Sequence, residues 1–396
     1  MRSALPALLS ASAAVATVGG AVLPRAAAAS NSSVTNSTTF GTYPSETAEF
    51  LRALPKIEHH IHIEGALTPE FLFKLARRNN VTLDAGNFSS PDAVRERYRH
   101  WSGLEDFVEV SEQEMVVFLT EDDYADLAYD YLERSSYDGL VYAEVNFLPE
   151  GHTARNISLD TVIGGLKKGL QRGKEDFGID TQLFACFSKS HNHTATLETI
   201  DALATFAQSG ALIGLGAAGV EDGFPPSEFK EIYNYAASVG FDPTHFTIHA
   251  GETGPADYVR QAAFDLGLPR IDHAIAAARD DPALTRKLAQ AGKTVTVCPL
   301  SNVALGVYDR VEDAPLRELL DAGVMFSLNT DDPTFFGGFI LQVYLEVQKA
   351  FNFDKATWQR IAMQSIDMSW TSDEYKAELR GKLDAVMQQW EGKELD

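Results

Sequence analysis

Two histidines at alternate positions follow a run of β-branched residues early in the chain. The segment reads Ile57-Glu58-His59-His60-Ile61-His62-Ile63-Glu64-Gly65, and its isoleucines and closing glycine predict a β-strand. Because residues two apart in a strand share a face, His60 and His62 present their imidazoles together. Such a pair suits Zn²⁺, which binds histidine nitrogen at about 2.0–2.1 Å. An isolated H-x-H pair is more often two buried structural histidines, so the metal assignment depends on the rest of the chain.

Further residues of this chemical type lie where later predicted strands end. They are His249 with Glu252, Asp272 with His273, and Asp331 with Asp332. Each pair alone has a plainer explanation, such as a solvated carboxylate, a charge-paired surface histidine or a turn with a helix cap. Three histidines and one aspartate brought together would be a plausible Zn²⁺ set with room for a water, whose pKa the metal would lower towards ~7.

The elements that must position these residues predict an α/β fold, a (β/α)₈ TIM barrel. After the strand at 57–63, seven strand candidates alternate with helical segments, at intervals of roughly 20–40 residues once the second strand is reached. These candidates are Val141–Asn146, Gln182–Phe187, Leu212–Gly216, Phe246–Ala250, Arg270–His273, Thr294–Pro299 and Met325–Asn329. Barrel chemistry sits at the carboxyl ends of the strands, and the long helical insertion after strand one would cover that mouth. A doubly wound open sheet is the alternative, but no G-x-G-x-x-G follows the first strand.

The chain divides into three predicted parts. Residues 1–29 have a charged start, a small apolar stretch and an A-x-A site, as in a secretory signal peptide. Residues 30–49 are rich in Ser, Thr and Asn and predict a flexible leader, and 50–396 form one catalytic domain. Glycosylation sequons begin at six asparagines, so we expect a secreted, extracellular glycoprotein. These asparagines are Asn31, Asn36, Asn80, Asn87, Asn156 and Asn192.

Charge and cysteine content limit the partners. A formal net charge of −23 disfavours binding to nucleic acid polymers. No segment after the signal is long and apolar enough to span a membrane. Only Cys186 and Cys298 are present, so the chain is not a disulfide scaffold. The oligomeric state does not follow from the sequence, and a small molecule is the expected partner.

Several motifs resemble the adenosine/adenine deaminase family of the amidohydrolase superfamily, from about Pro55 to Gly338. They are Pro55-Lys56-Ile57-Glu58-His59-His60-Ile61-His62-Ile63-Glu64-Gly65-Ala66, His249-Ala250-Gly251-Glu252, Asp272-His273, Cys298-Pro299-Leu300-Ser301-Asn302 and Ser327-Leu328-Asn329-Thr330-Asp331-Asp332-Pro333. The resemblance implies one Zn²⁺ per chain and removal of the 6-amino group of a purine.

The resemblance also implies roles for individual residues. Zinc ligands would be His60, His62, His249 and Asp331. Glu252 would protonate purine N1, and His273 would deprotonate the attacking water. Asp332 would hydrogen-bond to N7, Gly219 would present backbone to N3, and Glu64 would face the substrate.

The same motifs indicate two substrates. Ile63-Glu64-Gly65 resembles the adenine-deaminase branch, whereas Ala217-Ala218-Gly219 and Asn329-Thr330-Asp331 resemble the adenosine branch. The predicted secretion favours extracellular nucleosides, so we expect deamination of adenosine to inosine and ammonia, with 5′-AMP and related adenine nucleotides as further substrates. Adenine deamination to hypoxanthine is the alternative.

Two other enzyme classes and one non-enzymatic class are the alternatives to a purine deaminase. A binuclear amidohydrolase would need a bridging carboxylate or modified lysine in strand four, which Leu212-Ile213-Gly214-Leu215-Gly216 lacks. The H-x-E…P-C-x-x-C signature of cytidine deaminases is absent. A growth-factor-like family member acting through a receptor is the non-enzymatic alternative.

Overall fold

Eight short parallel strands form the centre of the protein. The computed structural model describes residues 45–395, and the predicted signal peptide with most of the predicted leader lies outside them. The strands are β1 Lys56–His62, β2 Leu140–Phe147, β3 Asp180–Ser188, β4 Leu215–Ala218, β5 His249–Ala250, β6 Arg270–His273, β7 Thr294–Val297 and β8 Met325–Leu328.

The strands close into a barrel. Strands β1 to β4 pair in sequence order, as do β5 to β8, and every pair is parallel. Two single bridges join these halves, Leu215 with Phe246 and Ile61 with Asp331. The second bridge places Asp331 directly beside β1, since its backbone N–H donates to His60 O at 3.1 Å. The predicted (β/α)₈ barrel is confirmed.

Helices connect successive strands and continue after the last one. Their bounds are α1 Glu46–Ala53, α2 Pro69–Arg78, α3 Pro91–Arg97, α4 Leu104–Glu114, α5 Glu121–Ser136, α6 Pro149–Thr153, α7 Leu159–Phe177, α8 His193–Gln208, α9 Lys230–Val239, α10 Ala256–Arg260, α11 Ile275–Asp280, α12 Pro282–Gln290, α13 Pro299–Ala304, α14 Leu316–Ala322, α15 Ile340–Phe351, α16 Lys355–Met368 and α17 Asp373–Gln389. None of the helices between residues 45 and 395 is long and apolar enough to cross a membrane.

The insertion after β1 packs against the loop that follows β8. It contains α2 to α5, and Trp101 between α3 and α4 joins it to the barrel. The Trp101 ring lies 5.5 Å from that of Phe107 and 6.0 Å from that of Phe335, and its Nε1–H donates to Phe335 O at 3.4 Å. Aromatic pairs at these separations stabilise packing beyond simple burial. As predicted, helices cover the mouth of the barrel.

Several predicted boundaries differ from the structure; strand β5, for example, begins at His249 rather than Phe246. Strand β4 begins at Leu215 rather than Leu212, because Leu215 is the residue that pairs with Ala185 of β3. The predicted leader ended at Glu49, yet α1 begins at Glu46 with Ser45 accepting a capping bond from Ala48 N. Phe50 in that helix is fully buried, so the barrel domain starts a few residues earlier than predicted.

Candidate active site

Four side chains predicted as ligands converge at the carboxyl ends of the strands. Their ligand atoms all lie within 4.8 Å of one another, from His60 and His62 on β1, His249 on β5 and Asp331 after β8. Asp331 Oδ1 is 3.1 Å from His60 Nε2 and 3.4 Å from His62 Nε2. His62 Nε2 lies 3.2 Å from His249 Nε2. The barrel thus brings together side chains that are up to 271 positions apart by number, from residue 60 to residue 331.

The protonation of these imidazoles can be read from their outward nitrogens. His249 Nδ1 lies 3.0 Å from the carbonyl oxygen of Ala217, so it carries the proton and donates. Thr296 donates to Asp272 at 2.8 Å, and its oxygen is left to accept from His60 Nδ1 at 2.9 Å. Both Nε2 atoms therefore hold lone pairs directed into the site. His60 Nε2 is buried with no hydrogen-bond partner among the described residues, as expected of a metal ligand.

Asp272 stands behind the imidazoles rather than among the ligand atoms. Its carboxylate is 3.7 Å from His60 Nδ1 and 3.5 Å from His249 Nδ1. A carboxylate on the outward nitrogens orients histidine ligands and raises their basicity. An overlapping donor set of His60, His273, Cys298 and Asp331 shares two members with the first, so both sets describe one centre. The residues present fit a Zn²⁺ ion held by nitrogen and oxygen.

The predicted acid, Glu252, lies in the loop after β5 with its carboxyl buried. Asn302 Nδ2 donates to Glu252 Oε1 at 3.1 Å, which leaves Oε2 as the oxygen able to carry a proton. Burial first, then the carboxylates of Asp331 and Glu221, raises the pKa of Glu252 to about 8. This carboxyl can therefore be protonated near neutral pH, as an N1 acid must be.

His273 and Asp332 complete the predicted catalytic set. His273 Nε2 is 3.8 Å from Glu252 Oε2 and 3.7 Å from Asp331 Oδ2. Burial lowers the pKa of His273 to about 3, so the imidazole is neutral. Burial and then the neighbouring Asp331 raise the pKa of the Asp332 carboxyl well above its usual range.

Two residues of the site, His273 and Asp331, have a strained backbone conformation. His273 and Asp331 have φ values of 64° and 67°, in the left-handed region that non-glycine residues enter at a cost of roughly 1–3 kcal/mol. The barrel seam holds Asp331 in place, since its carbonyl accepts from His62 N at 2.9 Å. Gly219, which follows β4, has φ 90°, and glycine adopts this conformation without that cost.

Glu64 lies outside strand β1, contrary to the extended conformation predicted for it. The strand ends at His62 and Glu64 belongs to a 3₁₀ turn, Ile63–Ala66. Its Oε1 accepts from Leu148 N at 3.0 Å and from His152 Nε2 at 2.9 Å. The turn places Gly65 so close to Asp332 that a Cβ on it would lie 2.2 Å from Asp332 Oδ1. Glu64 is thus next to the predicted substrate contacts by a different backbone path.

Sequence reasoning missed a buried carboxylate that supports the site. Glu221, three residues after β4, accepts from the backbone amides of Gly251, Glu252 and Gly254 at 2.9, 3.1 and 2.9 Å. From the other side, Lys189 Nζ donates to the carbonyl of His249 at 3.0 Å. Two buried charges thus hold the 249–254 loop. The feature of the sequence that could have identified Glu221 is its position just after the end of a predicted strand.

The motif after β7 supplies two further supports. Ser301 on α13 donates to Asp331 Oδ2 at 2.7 Å, and Asn302 contacts Glu252 as described. Both residues belong to the Cys298–Asn302 motif, for which the resemblance implied no roles. Their position after a strand end was the signal.

Three histidines and an aspartate lie together at the carboxyl end of a (β/α)₈ barrel, with a protonatable carboxyl beside them. This arrangement is typical of metal-dependent hydrolases of the amidohydrolase type. The adenosine deaminase family model matches residues 55–386. The chain belongs to the adenosine deaminase family.

Curated relatives and solved structures agree with this family. Adenine deaminase of Gibberella zeae is 39% identical over 355 residues, covering 89% of this chain and 99% of the relative. Adenine deaminase of Saccharomyces cerevisiae is 41% identical over 342 residues, covering 86% and 98%. The crystal structure of adenine deaminase from Arthrobacter aurescens has a TM-score of 0.78 at 36% identity, covering 85% and 99%.

A second solved structure bears on the metal. An amidohydrolase from Burkholderia ambifaria, with bound Zn, has a TM-score of 0.76 at 26% identity and covers 88% of this chain and 96% of its own.

The family model and the adenine deaminase relatives show that the chain is an enzyme, a hydrolytic deaminase acting on a C–N bond. The receptor-binding alternative is set aside.

Proposed function

We propose that this enzyme is an adenine deaminase that converts adenine and water into hypoxanthine and ammonia with one Zn²⁺ per chain. The observation that carries the proposal is the 39–41% identity to adenine deaminases across 97–99% of their length. The sequence motifs and the predicted secretion favoured adenosine, with adenine as the alternative, and the relatives support the alternative. The position of Glu64 also supports adenine as the substrate. Its carboxylate is held by Leu148 and His152 at the mouth of the barrel, where the sugar of a nucleoside would need space.

The predicted ligands fit the ion, and the remaining residues act on the purine. When bound, Zn²⁺ supplies Lewis acidity and lowers the pKa of a coordinated water. Glu252 donates a proton from Oε2 to N1, which makes C6 more electrophilic. His273, held neutral by burial, takes the proton that the attacking water releases. The water oxygen bonds to C6, and the proton passes from His273 to the 6-amino group as the C6–N bond breaks and ammonia departs. The remaining hydroxyl proton returns to Glu252, which leaves hypoxanthine with its proton on N1.

Purine binding would use the groups around these two residues. Asp332, with its raised pKa, donates to N7, and the Gly219 backbone faces N3. Glu64 faces the five-membered ring. The buried site excludes water from the ring, which strengthens each of these hydrogen bonds.

Substrate preference is tested by comparing kcat/KM for adenine, adenosine and 5′-AMP through released ammonia. We expect adenine to exceed adenosine at least about 10-fold, because one hydrogen bond to a charged group is worth roughly 1.5–3 kcal/mol. Equal or faster turnover of adenosine would contradict the proposal and support the first expectation from sequence.

The metal is tested separately by elemental analysis of the purified protein. We expect about one zinc per chain, lost on dialysis against a chelator together with activity and restored by Zn²⁺. His60→Ala should lower the bound zinc, whereas His193→Ala, an exposed histidine on α8, should not. Full activity without metal would refute the metal site.

We also propose that the protein is secreted. The support is the composition of residues 1–29 together with the six sequons. Expression of the full chain should yield extracellular enzyme whose first residue lies near position 30. Intracellular enzyme that retains Met1 would contradict this.

A further inference from the structure

A histidine outside the predicted site controls the carboxylate of Glu64. His152 on α6 is 1% exposed, and Glu64 is 8% exposed. The His152 Nε2 atom lies 2.9 Å from Glu64 Oε1, which also accepts the backbone N–H of Leu148 at 3.0 Å. Two donors on one oxygen hold this carboxylate in a single orientation.

The other nitrogen of His152 determines which way the hydrogen bond runs. Its Nδ1 lies 3.0 Å from an Arg155 guanidinium nitrogen and 3.0 Å from the Tyr124 hydroxyl. A guanidinium only donates, so Nδ1 accepts and Nε2 carries the proton. Arg155 is itself tied to the carbonyls of Gly151 and Phe118. Glu64 therefore cannot turn away without breaking a chain of hydrogen bonds that begins on α5 and α6.

The free oxygen of Glu64 is available to a ligand. Within residues 45–395, both hydrogen bonds to this carboxylate end on Oε1, and none is made to Oε2. Gly65, the next residue, lies against Asp332, which is assigned to purine N7 above. In a purine whose N7 accepts, the imidazole proton is on N9, one carbon away. A deprotonated carboxylate can only accept, so N9–H is the complementary group.

We propose that His152 is a positioning residue that aims the Glu64 carboxylate at N9–H of a free 6-aminopurine, and that this pair selects free bases over N9-substituted purines. The inference rests on the proposed function and names the atom through which that selection works. A nucleoside has carbon on N9 and offers no proton there.

The test compares adenine with 9-methyladenine, which lacks the N9 proton but has no sugar. The wild type should show a kcat/KM about 10–100-fold lower for 9-methyladenine, the range for one hydrogen bond to a charged group. His152→Leu should raise the KM for adenine about 10-fold with little change in kcat. It should also lower the ratio of kcat/KM for adenine to kcat/KM for 9-methyladenine.

Two further variants separate positioning from folding. His152→Gln keeps an N–H donor that can reach Glu64 and should retain most of the discrimination. Tyr124→Phe removes only a hydroxyl from a 1% exposed side chain. It should lower the preference for adenine over 9-methyladenine by a smaller factor than His152→Leu does. Zinc content and thermal midpoint, measured on each variant, show whether the fold and the metal centre are intact.

Three outcomes would overturn the inference. One is a fall in kcat/KM of His152→Leu that is equal for adenine and 9-methyladenine. Another is a His152→Gln variant that discriminates between the two substrates no better than His152→Leu. If His152→Leu does not fold, the third outcome is a Tyr124→Phe variant whose ratio of kcat/KM for adenine to kcat/KM for 9-methyladenine equals that of the wild type. Wild-type preference for adenine with any of these results refutes this inference alone, whereas wild-type preference for adenosine refutes the proposed function as well.

Discussion

Proton placement at single residues decides what this site can do. The amide of Asn302 donates to one oxygen of Glu252, so the proton of the carboxyl belongs on the other oxygen. The same reasoning places lone pairs on the inward nitrogens of His60 and His249. A buried acid with one oxygen already satisfied is pre-oriented to donate, which is what general acid catalysis requires.

Glu252→Gln tests this role, because it keeps the shape of the side chain and removes the acidic proton. We expect zinc content to stay at the wild-type level while kcat falls by about 10²–10⁴-fold, the usual contribution of a general acid–base step. The exposed Glu228 offers a control, and Glu228→Gln should have no effect. A zinc-replete Glu252→Gln enzyme with near-normal kcat would assign the proton transfer to another group.

At the scale of elements, the loop after β5 is held by residues from its neighbours. Glu221 follows β4 and accepts from three backbone amides of this loop, and Lys189 follows β3 and donates to the carbonyl of His249 in β5. The approach is close, since a Cβ on Gly254 would lie 2.2 Å from Glu221 Oε2. The residues after β3 and β4 therefore position Glu252 through its backbone, in addition to the hydrogen bond that Asn302 donates to its side chain.

Glu221→Gln should loosen this loop without touching the substrate. A neutral amide accepts more weakly than a carboxylate and brings an N–H towards three N–H donors, so we expect kcat/KM to fall at least about 10-fold. Hydrogen exchange of the Gly251, Glu252 and Gly254 amides should speed up in parallel. Asp222→Asn, at the exposed neighbouring position, is the matched control. Unchanged exchange at these amides would rule out the positioning role.

At the scale of the whole molecule, the first described helix joins the last segment of the chain. Phe50 of α1 is fully buried, and its ring lies 5.4 Å from that of Trp390, just after α17. Lys56 at the start of β1 is also buried and donates to the carbonyl of Leu54 at 3.1 Å, which caps the end of α1. These contacts make α1 part of the barrel domain.

Phe50→Ala should destabilise the domain, because the barrel cannot close over the space of a removed aromatic ring. We expect the free energy of unfolding to fall by roughly 3–5 kcal/mol. Urea denaturation of the two proteins measures this. Glu49→Ala on the exposed side of the same helix should stay within about 0.5 kcal/mol of wild type. Equal stability of both variants would show that α1 is dispensable.

Much of the site was predictable because its signals are local. The H-x-H pair is set by the two-residue period of a strand. Strand ends in a parallel barrel share one rim, so His249, His273 and Asp331 could be assigned to one site once eight strands were counted. The boundary of β4 was not predictable in this way, because pairing with β3 rather than hydrophobicity determined it.

By itself, the amino-acid sequence determined the barrel, the ligand types and the family. Only the tertiary structure decided which side chains support them. Glu221 reaches its loop across 30 residues, Asn302 reaches Glu252 across 50, and His152 reaches Glu64 across 88. These contacts have no period or fixed spacing in the chain. They arise because loops from different strands meet over one rim, where a buried polar group must find a partner.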